Sequence, residues 1–171
     1  MHILLTGRPG IGKSTAIEKV IQSVGKSRVG GFLSREVRES GRRTGFEITT
    51  LDGQTGVLAH VDRDTGPRVG KYRVNVEDIE NIAIPSLRKA RRQGKLIVID
   101  EIASMELQAP NFRDEVRQCL EKGRVLATIQ NRRGDFLDSL RNRDDTKLFT
   151  LTKTNRDMIP ARVLEILGCN D

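Results

Sequence analysis

Aromatic residues, cysteine and histidine are scarce in this sequence, and each scarcity argues against a class of protein or site. The 171 residues include no Trp, one Tyr and five Phe, so few rings are available to stack on the bases of a nucleic acid. The two cysteines, Cys119 and Cys169, form no C-x-x-C pair, and the two histidines, His2 and His60, show no ligand spacing. The cysteines are therefore expected to be buried or idle thiols, without a disulfide or a zinc ion.

Long apolar runs are missing as well. No stretch is long enough to cross a membrane, and the first predicted strand begins so close to Met1 that no room is left for a signal or transit peptide. We therefore expect a cytoplasmic protein. A length of 171 residues can bury a good core without disulfides, and the chain shows no linker, repeat or low-complexity segment. We expect one domain over residues 1–171, and a monomer.

Positive charge is in excess, with 30 Lys and Arg against 23 Asp and Glu, a formal net charge of +7 and a pI near 9.8. A group of five cations, here called the basic cluster, lies at the end of a predicted helix, where positive charge also complements the helix dipole. It consists of Arg88, Lys89, Arg91, Arg92 and Lys95. A nucleic-acid partner is possible on charge alone but not favoured, because no nucleic-acid-binding module is present and anionic nucleotides explain the same charge.

A complete phosphate-binding loop lies near the start of the chain. Residues 7–15 match the pattern G-x-x-x-x-G-K-[ST]. An apolar run at residues 3–5 predicts a strand before the motif, and apolar residues at helical spacing predict a helix over residues 13–24 after it. Strand, glycine-rich loop and helix are the context that this motif requires. The sequence therefore predicts binding of a nucleoside triphosphate.

The residue types of this loop explain the prediction. Glycine lets the backbone turn its N–H groups inward as a nest for phosphate oxygens, and the helix that starts at Lys13 adds the positive end of its dipole. Lys13 is expected to contact the β- and γ-phosphates and to act in catalysis, and the Ser14 hydroxyl is expected to bind Mg²⁺. The expected nucleotide-binding residues of the loop are Gly7, Arg8, Pro9, Gly10, Ile11, Gly12, Lys13, Ser14 and Thr15.

Strand and helix patterns alternate along the rest of the chain. The predicted strands lie at residues 3–5, 29–37, 46–51, 57–61, 72–76, 96–99, 125–129 and 148–151. The predicted helices lie at residues 13–24, 77–93, 112–121, 136–141 and 158–167, the second of them broken or kinked at Pro85. This order predicts an α/β fold, a three-layer α/β/α sandwich with a mostly parallel sheet and an added antiparallel hairpin or meander.

The second half of the predicted site follows the buried strand at residues 96–99. Apolar residues followed by Asp100 and Glu101 form the Walker B pattern, in which the first carboxylate holds Mg²⁺ opposite the P-loop hydroxyl. Asp100 is therefore predicted to share the metal ion with Ser14. Glu101 is predicted to be catalytic, because a second carboxylate at this point can orient and polarise the attacking water.

Several other polar residues leave alternatives open. Gln130 follows the predicted strand at residues 125–129 and is either a sensor of the γ-phosphate or an ordinary loop residue. Residues 152–155 lie where GTPases have their guanine-reading N/T-K-x-D, but Asn155 replaces the carboxylate, so we expect weak base discrimination. No arginine finger is identified among the candidates, each of which is better explained as a surface charge. These candidates are Arg8, Arg35, Arg38, Arg43, Arg132 and Arg133.

With both halves of the site in view, the chain resembles the small thermophilic-type nucleoside-triphosphatase family, which includes the cancer-related nucleoside-triphosphatase. The resemblance extends from the P-loop nearly to the C-terminus. The motifs that support it are Gly31-Phe32, Glu36-Val37-Arg38, Gly41, Arg43, Gly45-Phe46, Leu51-Asp52-Gly53, Gly70-Lys71-Tyr72, Ala83-Ile84-Pro85, Ile99-Asp100-Glu101-Ile102, Met105-Glu106 and Asn155-Arg156-Asp157. The sequence departs from the family pattern at Arg8, where Pro is usual, and at Ala103-Ser104, which replace a Gly-Lys or Gly-Pro pair.

The resemblance implies a RecA-like P-loop fold and slow, Mg²⁺-dependent hydrolysis of ATP, GTP and other nucleoside triphosphates with low base specificity. It also extends the expected nucleotide-binding residues to Asp100, Glu101, Ile102, Ala103, Ser104, Met105 and Glu106. Two other functions stay open. One is a kinase that transfers the γ-phosphate to a small acceptor, although no acceptor site is evident. The other is a nucleic-acid-associated module that uses the nucleotide as a switch, an alternative that the basic cluster suggests.

Overall fold

A nine-stranded sheet forms the centre of the structure, a computed structural model that describes residues 1–169. Its strands are β1 (His2–Thr6), β2 (Val29–Glu39), β3 (Arg42–Thr50), β4 (Thr55–His60), β5 (Arg68–Val69), β6 (Tyr72–Val74), β7 (Leu96–Ile102), β8 (Arg124–Ile129) and β9 (Thr146–Thr150). They lie in the order β5-β6-β4-β3-β2-β7-β8-β1-β9. The five strands from β2 to β9 run parallel to one another, and the other four extend the sheet from β2 in antiparallel pairs.

Helices cover both faces of the parallel half of the sheet. They are α1 (Lys13–Val24), α2 (Val76–Asp78), α3 (Ile84–Arg92), α4 (Phe112–Lys122), α5 (Asp135–Arg141) and α6 (Ile159–Leu167). On β7, Ile97 and Ile99 pack in the core with α3, α4 and α5, whereas Val98 packs in the opposite core with α1 and α6. Because successive strand side chains face opposite sides, a continuous apolar run is what a strand covered on both faces requires. The predicted α/β/α sandwich is confirmed.

The antiparallel half is a meander of β2, β3, β4, β6 and β5, larger than a single hairpin. It begins where β2 passes from its parallel partner β7 to its antiparallel partner β3. Gly31 lies at this point with φ +106°, and a β-carbon there would lie 2.0 Å from the carbonyl oxygen of Val98. Only glycine therefore lets β2 approach β7 so closely.

The helical segment that contains Pro85 is not interrupted by an extended break. A π-helical segment, Ile79–Ala83, joins α2 to α3, so the chain stays helical while its pitch changes. Pro85 lies in the first turn of α3. Proline has no N–H and interrupts the regular α-helical hydrogen bonds, and the N–H of Ile84 beside it donates to the Ile79 carbonyl oxygen across a π-helical turn. The predicted effect of Pro85 therefore takes the form of a wider helical turn.

The parallel arrangement brings the carboxyl ends of β1, β7, β8 and β9 to one edge of the sheet, as the registers Ile3↔Leu126 and Ile97↔Val125 fix. The loop between β1 and α1 and the loop after β7 both leave from this edge. Ligands of open α/β sheets bind outside such carboxyl ends. Within residues 1–169, no helix is long and apolar enough to cross a membrane.

Candidate active site

The phosphate-binding loop connects β1 to α1 in the conformation that its glycines predict. Gly7, Gly10 and Gly12 have φ values of +150°, +78° and +111°, which residues with a side chain rarely adopt. The first turn of α1 has no side-chain cap from the described residues, so its N–H groups remain available to an anion. The Lys13 ammonium donates a hydrogen bond to the carbonyl oxygen of Gly7 at 2.8 Å, so this cation lies over the loop.

Asp100 receives two hydroxyl hydrogen bonds, one on each carboxylate oxygen. Ser14 Oγ donates to Oδ2 at 2.8 Å, and Thr128 Oγ1 donates to Oδ1 at 2.7 Å. The side chains predicted to share a metal ion are therefore in contact. Thr128 was missed by the sequence reasoning, because a threonine within an apolar strand has the same pattern whether its hydroxyl has a partner or not.

Glu101 follows Asp100 at the same strand end and lies beside Lys13. Its Oε2 is 3.5 Å from Lys13 Nζ, and its side chain keeps 28% of its surface exposed. Burial raises the pKa of Glu101 and the nearby Lys13 cation partly opposes this rise. A carboxylate with a raised pKa is a better base near neutral pH, and the exposed part of Glu101 can reach water.

Two other carboxyl groups near Glu101 are almost completely buried. Asp100 is 4% exposed and Glu106, in the short 3₁₀ turn Glu106–Gln108, is 3% exposed. Burial is the main cause that raises the pKa of each, and the negative charges of Glu101 and Asp100 raise the pKa of Glu106 further. Glu106 Oε2 has no hydrogen-bond partner among the described residues. Three carboxyl groups are therefore concentrated at the carboxyl end of β7.

The segment at residues 102–106 contacts the end of β8 through Gln130. The side-chain amide oxygen of Gln130, Oε1, accepts from the Ser104 N–H at 3.1 Å and from the Ser104 hydroxyl at 2.8 Å. Arg132 in turn donates to the Ser104 hydroxyl at 3.1 Å. Gln130 therefore lies beside the expected nucleotide-binding segment with its amide orientation set, and its role as a sensor stays a prediction.

Among the other arginine candidates, three are paired with carboxylates that lie outside residues 7–15. Arg35 pairs with Glu18 at 3.0 Å, and both Arg38 and Arg43 pair with Glu36 at 3.1 Å. Arg132 is the candidate that the structure brings next to residues 102–106. Within residues 1–169, neither the side chain of Arg8, which lies in the P-loop itself, nor that of Arg133 forms a hydrogen bond or an ion pair.

The side chain of Asn155, in the loop after β9, forms its hydrogen bonds within that loop. Asn155 Oδ1 accepts from the Thr152 N–H at 2.7 Å, and Asn155 Nδ2 donates to the Thr150 carbonyl oxygen at 2.9 Å. Both ends of the amide are therefore engaged within the loop. The next residue, Arg156, donates to the carbonyl oxygen of Ile11 in the P-loop at 3.3 Å. Sequence reasoning gave no role to Arg156, which was marked only by its place in the Asn155-Arg156-Asp157 motif.

Most of the basic cluster is paired. Arg88 and Arg91 both donate to the buried carboxylate of Glu115, and Lys89 pairs with Asp52 at 3.0 Å. A cavity of about 550 Å³ lies near this cluster, at the amino edge of the parallel strands and therefore opposite the P-loop. These ion pairs account for much of the clustered charge as part of the packing between helices. They therefore weaken the argument for a nucleic-acid partner.

Comparisons with known proteins agree with this geometry. A family model described as NTPase matches residues 2–164. The chain is 42% identical over 171 residues to nucleoside-triphosphatase THEP1 of Thermotoga sp. (strain RQ2), covering 99% of this chain and 97% of that protein. Among solved structures it is similar to THEP1 of Aquifex aeolicus, with TM-score 0.90, 39% identity and coverage of 98% and 99% of the two chains. A human cancer-related nucleoside triphosphatase matches with TM-score 0.83, 36% identity and coverage of 99% and 98%.

Proposed function

The chain belongs to the NTPase family and is a nucleoside-triphosphatase, and we propose that it hydrolyses ATP, GTP and other nucleoside triphosphates to the diphosphate and phosphate, with Mg²⁺ and little base preference. The observation that supports this most is the contact of the two motif halves. Ser14 of the P-loop bonds Asp100, and Lys13 of the P-loop lies 3.5 Å from Glu101. A cation, a metal-binding pair and a partly exposed base thus converge on one point.

The phosphates are bound by the P-loop. The N–H groups at the start of α1 and the inward-facing loop backbone donate to phosphate oxygens, and the Lys13 ammonium neutralises charge on the β- and γ-phosphates. The loop brings these donors together, since its glycines allow positive φ values and Lys13 donates to the Gly7 carbonyl oxygen. Preorganised donors of this kind stabilise the charge that develops during phosphoryl transfer.

The metal site proposed for Mg²⁺ consists of Ser14 and Asp100. Their oxygens lie 2.8 Å apart beside the phosphate nest, and hydroxyl and carboxylate oxygens are ligands that Mg²⁺ prefers. Mg²⁺ bound there supplies positive charge to the phosphate oxygens. The concentration of carboxylates around Glu106, whose Oε2 lacks a partner among the described residues, favours a cation at this edge.

Glu101 is proposed to orient the attacking water and to accept its proton. Its raised pKa and its partial exposure support this role, and the ammonium of Lys13 limits how far the pKa rises. Asp100 is less suited to it, because both of its oxygens already accept hydroxyl bonds. Low base specificity is supported by Asn155, whose amide is engaged within its own loop.

The test is phosphate release from ATP, GTP, CTP, UTP and dTTP, with and without Mg²⁺. The wild type should release phosphate from all five only with Mg²⁺, and Lys13→Ala should abolish binding and release. Glu101→Gln should bind nucleotide normally but lose turnover by roughly 10²–10⁴-fold, the usual contribution of a general base. Lys19→Ala removes an exposed cation from the same helix and should leave both unchanged.

Three outcomes would contradict the proposal in whole or in part. Turnover that survives Glu101→Gln would show that another group positions the water. Tight binding without phosphate release by the wild type would favour transfer to an acceptor, as in a kinase. Release from GTP alone would contradict the low base specificity, while leaving the phosphate chemistry as proposed.

A further inference from the structure

The order of the strands decides on which side of the P-loop the nucleoside lies. Glu101 is on β7, the P-loop follows β1, and β9 is the neighbour of β1 on the side away from β7. If Glu101 orients the water, the phosphate under attack faces β7. The rest of the triphosphate must then extend across the P-loop toward the loop after β9. This step rests on the function proposed above.

Arg156 occupies that side of the P-loop. Its guanidinium donates to the Ile11 carbonyl oxygen at 3.3 Å, and its Cδ lies 3.8 Å from where a β-carbon on Gly12 would be. The aliphatic stem of Arg156 therefore lies beside the P-loop backbone at Gly12. No other arginine side chain donates a hydrogen bond to residues 7–15 within the described chain.

The loop that presents Arg156 is held in place by hydrogen bonds at both ends. The Leu151 N–H donates to the carbonyl oxygen of Thr6 at 2.8 Å, which ties the end of β9 to the end of β1. The Arg156 N–H donates to the Thr152 carbonyl oxygen at 3.0 Å, and the Asn155 amide closes the same turn. Arg156 is thus presented by an ordered turn.

We propose that Arg156 contacts the nucleoside part of the substrate, with its guanidinium plane stacked on the base. The bond to Ile11 uses one of five N–H donors, and the residue as a whole is exposed, so the plane remains accessible. A guanidinium stacks on aromatic rings through its plane and charge, and every base offers such a face. This contact adds affinity for every base, somewhat more for the larger purine rings, without reading a base edge, whereas the group that would read an edge, the Asn155 amide, is already engaged.

Inorganic tripolyphosphate separates this role from simple support of the P-loop, because it has the phosphates but no nucleoside. Binding is measured with Mg²⁺ by calorimetry in Glu101→Gln protein, so that hydrolysis does not interfere. Arg156→Ala should weaken ATP and GTP binding roughly 3- to 10-fold, with a smaller loss for CTP and UTP, and should leave tripolyphosphate binding unchanged. Arg156→Lys, which keeps the charge but not the plane, should lose part of the same affinity.

The control is Arg162→Ala on α6, where an exposed guanidinium pairs with Glu165 at 3.6 Å. It should not change binding of any ligand. Equal losses for nucleotides and tripolyphosphate in the Arg156 variants would show that Arg156 supports the P-loop or contacts phosphate, which overturns the inference. Unchanged nucleotide binding would overturn it too. If Glu101→Gln protein binds neither nucleotide nor tripolyphosphate, the proposed function itself fails, so the two failures are distinguishable.

Discussion

The hydroxyl of Thr128 allows a sharp test of how the site is held together. Thr128 is fully buried on β8 and donates to Asp100, which is 4% exposed and accepts only one other hydrogen bond from a side chain among the described residues. Thr128→Val keeps the shape of the side chain and removes this one donor. Asp100 Oδ1 is then left buried without a partner.

The magnitude follows from the charge of the acceptor. A hydrogen bond to a charged group contributes about 1.5–3 kcal/mol to stability. The methyl group that replaces the hydroxyl offsets about 0.8 kcal/mol of this loss, because it buries additional apolar surface. A net loss of about 1–2 kcal/mol remains. For a chain of this size each kcal/mol lowers the melting temperature by about 2–4 °C, so a fall of roughly 2–8 °C is expected.

Thr6 on the neighbouring strand β1 is the matched control. It is also buried, at 4% exposure, but its hydroxyl has no partner among the described residues. Thr6→Val should therefore leave the melting temperature unchanged or raise it, because it removes an unsatisfied polar atom. Both variants are measured by calorimetry without nucleotide. Equal melting temperatures for Thr128→Val and wild type, or equal falls in both variants, would refute the reasoning.

The same bond also has a pH dependence. It favours the ionised form of Asp100, so its removal raises the pKa of Asp100 further above its usual value. The cost of Thr128→Val should be largest at pH values where Asp100 is ionised and should shrink as the pH falls and the carboxyl becomes protonated in both proteins.

Two further predictions concern other buried positions. The pKa of Glu106 is raised well above its usual value by burial and by Glu101 and Asp100, so its contribution to stability is full below the unfolded-state pKa and is lost as the pH rises above it. Glu106→Gln is neutral at every pH, so its melting temperature should fall less than that of the wild type between about pH 5 and pH 8. An equal fall in both proteins would contradict the raised pKa of Glu106. Gly31→Ala would place a β-carbon 2.0 Å from the carbonyl oxygen of Val98 at φ +106°, so strain of at least about 1–3 kcal/mol and displacement of β2 from β7 are expected. Circular dichroism and thermal melting check this, with Gly41→Ala, whose β-carbon would meet no atom within 4 Å, as the control for the cost of positive φ alone.

Local patterns predicted the elements because they are local properties of the chain. Helix α1 begins and ends at the predicted residues, Lys13 and Val24, since its buried positions repeat at helical spacing. The apolar run before Asp100 predicted a central strand for the same reason. Boundaries that depend on a partner strand were less accurate, and β3 begins at Arg42, before the predicted start, because it pairs with the whole outer half of β2.

The contacts around Asp100 depended on long-range pairing. Ser14, Asp100 and Thr128 come from three distant parts of the chain, and the register Ile99↔Ala127 brings the last two side by side. The two motifs indicated Ser14 and Asp100 because each has a recognisable neighbourhood, whereas Thr128 has none. The pairing of the basic cluster with Glu115 could not be predicted from sequence for the same reason, because it depends on the packing of α3 against α4.

The sequence by itself thus determined the phosphate-binding chemistry, the α/β class and the family, because glycine spacing, a Lys-Ser pair and an Asp-Glu pair after an apolar run define backbone shape and charge locally. Tertiary structure alone decided which polar groups meet. Thr128 reaches Asp100 and Arg156 reaches Ile11 because strand order and register place them there. Such contacts between distant residues leave no pattern in any short stretch of sequence.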